Sequence, residues 1–273
     1  MLAALLIALL LTAAPTYAEE ALVAVAANFV EVARELEREF ERDSGYRIEL
    51  VVGSTGKLYA QIINGAPFDV LLAADQERPR RLEDNGLAVP GSRRTYAVGR
   101  LVLWSPDPQR LTGDGAAVLR SGEFRSIAIA NPRLAPYGAA SLQAFKSMGI
   151  YADIRDRIVM GENVGQAHAM VASGNAELGL LALSSITRPD ESPAGSRWLV
   201  PAALHSPIRQ DAVLLERGKK TDAALAFLDF LGGAFAIQII ERFGYKAHRQ
   251  LAADHRYWAA VGLRRVGFAI PRP

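Results

Sequence analysis

ALVAVAANFVEVARELEREFERDSGYRIELVV, residues 21–52, contains two hydrophobic patterns in succession. Residues 21–27 are apolar without a break, which is typical of a strand buried on both faces of a parallel sheet. From Asn28 onward the apolar residues recur every three or four positions, which predicts a helix with charged residues on its other side. Asn28 is the predicted N-cap of this helix, Gly45 marks its end, and residues 47–52 are strand-like again. The stretch therefore predicts the strand–helix–strand unit of an α/β protein.

The alternation of strands and helices continues along the chain in two sets. The first set continues with a helix at 57–63 and a strand at 68–74. The second set has predicted strands at 126–130, 157–160 and 178–183, with helices at 139–148 and 164–173 between them. Strand-like segments at 95–104 and 207–215 and helices at 221–231 and about 233–242 complete the pattern. We therefore predict two α/β lobes, each a mixed, mostly parallel sheet flanked by helices, with a ligand cleft between them.

The composition is that of a globular protein with a substantial core. Half of the 273 residues are apolar and 22% are charged, and the formal net charge is +2. The small charge and the lack of a basic stripe among aromatic residues argue against nucleic-acid binding. The chain has no cysteine, so disulfides, thiolate chemistry and a lipidated cysteine are excluded.

The N-terminus has the pattern of an export signal. Residues 2–11 are apolar, and a short segment ending at Ala18 separates them from the charged sequence that begins at Glu19. Ten apolar residues are too few to span a bilayer but suit the hydrophobic region of a signal peptide. We therefore expect residues 1–18 to be a signal peptide and the mature protein to be exported and soluble, without a membrane-inserted segment.

The most informative short stretch for chemistry is VGSTGKL, residues 52–58. A nucleotide phosphate loop would need a glycine at position 51 and a hydroxyl residue after Lys57, but Val51 and Leu58 stand there. A serine-nucleophile elbow would need glycines two residues before and two after Ser54, and this spacing also fails.

Two interpretations of this stretch remain. Ser54 and Thr55 precede a helix, where backbone N–H groups and hydroxyls favour an anion, and Gly53 and Gly56 permit close backbone approach and unusual φ angles. The alternative is that Ser54 or Thr55 is an ordinary helix N-cap. Lys57, one step into the helix, is expected to point to solvent.

Three other strand-to-helix junctions favour the anion site. They lie at Asn28, which offers a side-chain amide donor, at Tyr137 and at Val164. In open α/β sheets ligands bind beyond the carboxyl ends of the strands, where these junctions gather. The four histidines, His168, His205, His248 and His255, stand in no recognisable catalytic or metal-binding motif. An exported hydrolase that uses Ser54 with His168 or His205 is kept as a less favoured alternative.

Several longer segments carry a family resemblance. They are VAVAANF, GSTGKLYAQIINGAPFDVLLAAD, NPRLAPYGAAS, ENVGQAHAMVASGNAELGLLALS and ERFGY, in this order over about residues 21–246. The chain resembles the periplasmic molybdate-binding proteins of ABC importers. That family has a two-lobed type II periplasmic-binding-protein fold and holds a tetrahedral oxyanion in the cleft without a counter-charge.

The resemblance also implies ligand-binding residues. They are Ala27, Asn28, Ser54, Thr55, Tyr137 and Val164, with Tyr137 and Val164 contributing through their backbone N–H groups. Many members of the family have a tyrosine where this chain has Ala182, and the resemblance implies that Tyr137 compensates from another side.

From the resemblance we expect a monomeric binding protein, not an enzyme, without a cofactor. It would capture molybdate or tungstate and deliver it to the membrane permease of an ABC importer. Sulfate or phosphate remains the alternative ligand. We expect the first lobe to comprise residues 19–98 and 206–247, the second lobe residues 99–205, and residues 248–273 to be a peripheral tail.

Overall fold

The structure is a computed structural model that describes residues 19–192 and 194–246. The predicted signal peptide and the predicted tail, 248–273, lie outside the described residues. The strands are β1 (Glu20–Ala26), β2 (Arg47–Gly53), β3 (Val70–Leu72), β4 (Arg94–Gly99), β5 (Leu101–Ser105), β6 (Ile127–Ala130), β7 (Ile158–Gly161), β8 (Leu178–Ala182), β9 (Ser196–Leu199) and β10 (Ile208–Leu214). The helices are α1 (Val30–Ser44), α2 (Thr55–Ile63), α3 (Glu77–Asp84), α4 (Gly115–Ser121), α5 (Pro136–Ser147), α6 (Tyr151–Ile154), α7 (Val164–Ala172), α8 (Asp222–Leu231) and α9 (Ala234–Arg242).

The strands form two sheets with the same design. The first has the order β2-β1-β3-β10-β4 and the second β7-β6-β8-β5-β9. In the first sheet β1 is parallel to β2 and β3, whereas β10 is antiparallel to both of its neighbours. In the second sheet β6 is parallel to β7 and β8, and β5 is the reversed strand. Each sheet thus has one reversed strand among five, which confirms the predicted mixed, mostly parallel α/β architecture.

Strand β1 shows why the first lobe is built in layers. Val23 and Val25 pack in one apolar cluster with α1 and α8, whereas Ala24 packs in another with Leu58 and Ile62 of α2. Because alternate residues of a strand face opposite sides of the sheet, a continuous apolar run buries both faces. Helix α1 contributes the stripe predicted from its spacing, and it ends at Gly45, whose φ of +74° is in the left-handed region.

Two lobes follow from the two sheets. The first lobe is the first sheet with α1, α2, α3, α8 and α9, and the second lobe is the second sheet with α4 to α7. The chain crosses between them at Arg100, which separates β4 from β5, and again between β9 and β10. The predicted lobe boundaries, 98/99 and 205/206, stay predictions, since the position of a hinge depends on how the lobes move.

Within residues 19–192 and 194–246, no single helix is long and apolar enough to cross a membrane. Helices α8 and α9 would be long and apolar enough if taken together, but the pair is bent by 65°.

Candidate functional site

A small cavity lies between the lobes, where strands end and helices begin. Its volume is about 10 Å³, close to the minimum that a single water molecule occupies. It is lined by Ala26, Ala27, Asn28, Ser54, Thr55, Ala74, Ala135, Pro136, Tyr137, Asn163 and Val164. The six residues predicted from the sequence are all among them, and no lining residue has a charged side chain.

Helix starts from both lobes point backbone donors at this cavity. Helix α2 begins at Thr55 in the first lobe, and α5 and α7 begin at Pro136 and Val164 in the second. No carbonyl or side chain among the described residues accepts the N–H groups of Thr55, Tyr137 and Val164. Free N–H groups and the positive ends of helix dipoles favour negative charge. The cavity is therefore suited to a small anion.

The hydroxyls of Ser54 and Thr55 are oriented by the backbone. Ser54 is the N-cap of α2, and its Oγ accepts a hydrogen bond from Lys57 N at 3.4 Å. Thr55 Oγ1 accepts from Ala74 N at 3.0 Å. Since each oxygen already accepts a backbone hydrogen bond, each hydroxyl proton is available to donate to a ligand. The N-cap interpretation and the anion interpretation of this stretch are therefore compatible.

The predicted role of the Asn28 side chain is wrong in two respects. Asn28 does not cap α1, because it lies within a 3-10 turn, Ala27–Phe29, that precedes the helix, and its side chain makes no cap hydrogen bond. Its amide is not a free donor either. Asn28 Nδ2 donates to Gln210 Oε1 at 2.8 Å and to the Tyr245 hydroxyl at 2.9 Å, which uses both amide protons. A ligand role for Asn28 is left to its backbone N–H, at the start of the turn.

The side chain of Tyr137 belongs to the same buried polar network. Its hydroxyl accepts from Gln210 Nε2 at 3.3 Å and interacts with Tyr245. Burial, with smaller contributions from Tyr245 and Tyr96, raises the pKa of Tyr137 well above its ordinary value. The hydroxyl is therefore neutral at physiological pH. Ala182 is buried at the end of β8 and does not line the cavity.

Lys57 is half exposed, but it is not simply directed to solvent. Its Nζ lies 3.0 Å from Glu162 Oε1, so an ion pair joins α2 of the first lobe to the β7–α7 loop of the second. Beside it, Gly56 N donates to Leu134 O across the cleft at 2.8 Å. The lobes are therefore closed over the cavity. Neither Gly53 nor Gly56 has a positive φ, so the unusual φ angles that glycine permits are not used at these two positions.

The described histidines do not support the hydrolase alternative. The ring of His168 packs against Trp104, and His205 Nδ1 contacts the Ser206 carbonyl. Neither forms a hydrogen bond with Ser54, whose Oγ accepts from the backbone instead. In the part of the chain that the structure describes, no cluster of three or more His, Asp or Glu could hold a metal ion. His248 and His255 lie outside the described residues.

The sequence interpretation missed Ala74, Gln210 and Tyr245. Ala74 acts through its backbone N–H, which no side-chain pattern reveals. Gln210 had a detectable signal, since three consecutive polar residues, Arg209, Gln210 and Asp211, interrupt the apolar run of β10, and the last two are fully buried. Buried polar side chains need partners, so such a pair indicates a hydrogen-bond network.

Two α/β lobes closed over a small uncharged cavity lined by helix starts define a two-lobed solute-binding protein of the periplasmic type. The family described as bacterial extracellular solute-binding protein matches residues 21–246, and the chain belongs to this family.

Two relatives and one solved structure are similar to this chain over most of its length. The chain is 46% identical over 235 residues to the molybdate-binding protein ModA of Azotobacter vinelandii, an alignment that covers 86% of this chain and 93% of the relative. It is 44% identical over 233 residues to the ModA protein of Rhodobacter capsulatus, with 85% and 90% covered. The solved structure of the A. vinelandii periplasmic molybdate-binding protein superimposes with a TM-score of 0.80 at 39% identity, covering 83% of this chain and 98% of that one. The resemblance noted in the sequence, and the two-lobed fold that it implies, are confirmed.

Proposed function

We propose that this protein captures molybdate or tungstate in the periplasm and delivers it to the membrane permease of an ABC importer. It acts as a monomer, binds the anion without a cofactor and performs no catalysis. The relatives that are 44–46% identical are named molybdate-binding proteins, and this supports the choice of ligand.

The observation that carries the proposal is the donor-only character of the cavity. The hydroxyls of Ser54 and Thr55 each accept a backbone hydrogen bond, so their protons are left for the ligand. The N–H groups of Thr55, Tyr137 and Val164 have no acceptor among the described residues. Molybdate and tungstate are fully deprotonated dianions at neutral pH and present only acceptor oxygens. Monohydrogen phosphate carries a proton that would find no acceptor here, and this costs binding free energy.

A buried dianion without a counter-charge is stable when preorganised dipoles meet each of its oxygens. The cavity offers dipoles from both lobes, so the ligand contacts both only when the cleft is closed. Periplasmic binding proteins close around their ligands by hinge bending. The closed form is then the state that the permease would recognise.

Calorimetric titration of the purified mature protein with molybdate, tungstate, sulfate and phosphate tests the proposal. We expect tight binding of the first two, weaker binding of sulfate, and no measurable heat with phosphate. The absence of binding by molybdate and tungstate, or tighter binding of sulfate, would contradict the proposed ligand. Turnover of an ester substrate that is lost in Ser54→Ala would instead support the hydrolase alternative.

A further inference from the structure

A buried glutamine in the middle of β10 connects the two walls of the cavity. Gln210 is fully buried. Its Oε1 accepts from Asn28 Nδ2 at 2.8 Å and lies 3.1 Å from the Tyr96 hydroxyl. Its Nε2 donates to the Tyr137 hydroxyl at 3.3 Å. Since Asn28 belongs to the first lobe and Tyr137 to the second, one side chain outside the cavity lining contacts a lining residue of each lobe.

The crossing between the lobes is shaped around this contact. Gly99 ends β4, next to the residue at which the chain passes into the second lobe. A Cβ added to Gly99 would lie 2.1 Å from the Tyr137 hydroxyl oxygen and 2.7 Å from Gln210 Nε2. Only glycine leaves room for the two side chains to meet there. The contact between Gln210 and Tyr137 is therefore placed where a change in the angle between the lobes would alter it.

A second set of hydrogen bonds fixes the backbone of Asn28. The carbonyl oxygen of Asn28 accepts from Ser184 Oγ and from the Tyr245 hydroxyl, each at 2.8 Å. Ser184 comes from the second lobe and Tyr245 from the first. With its side chain and its carbonyl both held, Asn28 has little freedom to rotate, and the N–H groups of its turn are held in place.

We propose that Gln210 is a positioning residue that sets the anion affinity without touching the anion, by fixing Asn28 and Tyr137 relative to each other in the closed protein. This inference rests on the proposed function, because it concerns the same cavity. When the lobes separate, Gln210 Nε2 loses the Tyr137 hydroxyl as its partner, and when they close it regains it. The hydrogen-bond donors on the two walls are thereby held in the correct relative position before the ligand forms its own hydrogen bonds. Such preorganisation increases affinity.

A purely structural role for Gln210 predicts a different result. In that case its removal would lower the stability of the first lobe, and the loss would not depend on Tyr137. The two roles are separated by a double-mutant cycle, because residues that act through a shared contact have non-additive effects.

The cycle uses Gln210→Met, Tyr137→Phe and the double variant, each titrated with molybdate and melted without ligand. Tyr137→Phe removes the hydroxyl and keeps the backbone N–H that faces the cavity. We expect Gln210→Met to weaken molybdate binding about tenfold or more and Tyr137→Phe about fivefold, in the range for loss of buried hydrogen bonds. The double variant should lose clearly less than the product of the two single losses.

Gln76→Met is the matched control. Gln76 Nε2 donates to Thr95 Oγ1 at 2.9 Å and to Asp211 Oδ1 at 3.1 Å, on β4 and β10 of the same sheet, but Gln76 has no contact with Asn28 or Tyr137 among its hydrogen bonds. It should lower the melting temperature and leave the molybdate affinity unchanged.

Two outcomes overturn the inference while leaving the proposed function intact. The first is a molybdate affinity of Gln210→Met equal to that of the wild type. The second is a loss of affinity in the double variant equal to the product of the losses in the two single variants. If Gln210→Met does not fold, the molybdate affinity of Tyr137→Phe tests the inference by itself, and an unchanged affinity in that variant overturns it. Failure of the wild-type protein to bind molybdate and tungstate would refute the proposed function itself, which the first titration of the series shows separately.

Discussion

At the scale of single residues, the backbone decides which way two hydroxyl protons point. The sequence left open whether Ser54 or Thr55 makes the important hydrogen bond to the ligand. The hydrogen bond from Ala74 N to Thr55 Oγ1 is 3.0 Å long, whereas that from Lys57 N to Ser54 Oγ is 3.4 Å. A shorter bond constrains the hydroxyl more firmly. We therefore expect Thr55 to contribute more to affinity than Ser54.

Thr55→Val tests this expectation with little change of shape. Loss of one hydrogen bond to a charged group costs about 1.5–3 kcal/mol, so molybdate affinity should fall roughly 10- to 100-fold. The ligand-free protein should also lose about 1–3 kcal/mol of stability, since the buried N–H of Ala74 is left without its acceptor. Calorimetry and urea unfolding measure the two effects.

Thr55→Ser is the control for this substitution, because it keeps the hydroxyl and should bind almost as well as the wild type. Equal affinities for Thr55→Val and the wild type would remove Thr55 from the site.

Asn28 shows why residue roles were the harder part to predict. A strand-to-helix junction predicts a capping or donating side chain, and local pattern alone supports both roles. The partners that take up the amide protons, Gln210 and Tyr245, lie 182 and 217 residues away along the chain. Such contacts depend on where the fold places β10 and the segment after α9 relative to the end of β1, so no local sequence pattern reveals them.

At the scale of elements, α2 contacts the second lobe directly through its backbone. Gly56 lies in its first turn, and Gly56 N donates to Leu134 O of the second lobe at 2.8 Å. A Cβ at this position would lie 2.9 Å from Leu134 O and 3.0 Å from Leu134 Cα. Both neighbours are backbone atoms, so they cannot rotate away as a side chain would. Glycine is therefore needed for the closed state and not for the helix.

Gly56→Ala should therefore impair closure of the lobes without impairing folding. Alanine in a helix is more stable than glycine by roughly 0.5–1 kcal/mol, so the melting temperature of the ligand-free protein should stay level or rise. Molybdate affinity should fall roughly 5- to 100-fold, because the added methyl group prevents full closure at a cost of about 1–3 kcal/mol. Calorimetry and thermal unfolding of the same sample check both. A variant that loses stability but binds normally would show that the lobes do not close along this contact.

The long elements were predictable from sequence, whereas only some of the short ones were. Helix α1 has a charged face and a buried stripe over 15 residues, so its period is unambiguous. Two elements with no prediction from the sequence are β9 and α4, which have four and seven residues. In such short segments tertiary packing decides the conformation, as it does for β9, which is formed by pairing with β5. The predicted third strand, 68–74, is shorter in the structure, at Val70–Leu72, for the same reason.

At the scale of the whole molecule, a neutral hydrogen-bond network joins the lobes behind the cavity. Tyr96 and Tyr245 belong to the first lobe and Tyr137 to the second. Burial is the main cause that raises the pKa of Tyr96 and Tyr137 well above the ordinary value and that of Tyr245 to about 12. The three hydroxyls thus keep their protons at any physiological pH. An uncharged network suits a cavity for a dianion, since an ionised tyrosine would repel the ligand.

This network predicts how stability depends on alkaline pH. Between about pH 10, where tyrosines of the unfolded chain ionise, and about pH 12, the buried hydroxyl of Tyr245 keeps its proton. The unfolded state then binds fewer protons than the folded state, so stability falls as pH rises through this range and is unaffected by this group below it. Urea unfolding from pH 8 to pH 11, with tyrosinate absorbance recorded in parallel, should show the decline beginning near pH 10. Tyr245→Phe should show a shallower decline over the same range. Equal slopes in the two proteins would mean that Tyr245 ionises in the folded state as readily as in the unfolded one, and that this residue does not seal the network from solvent.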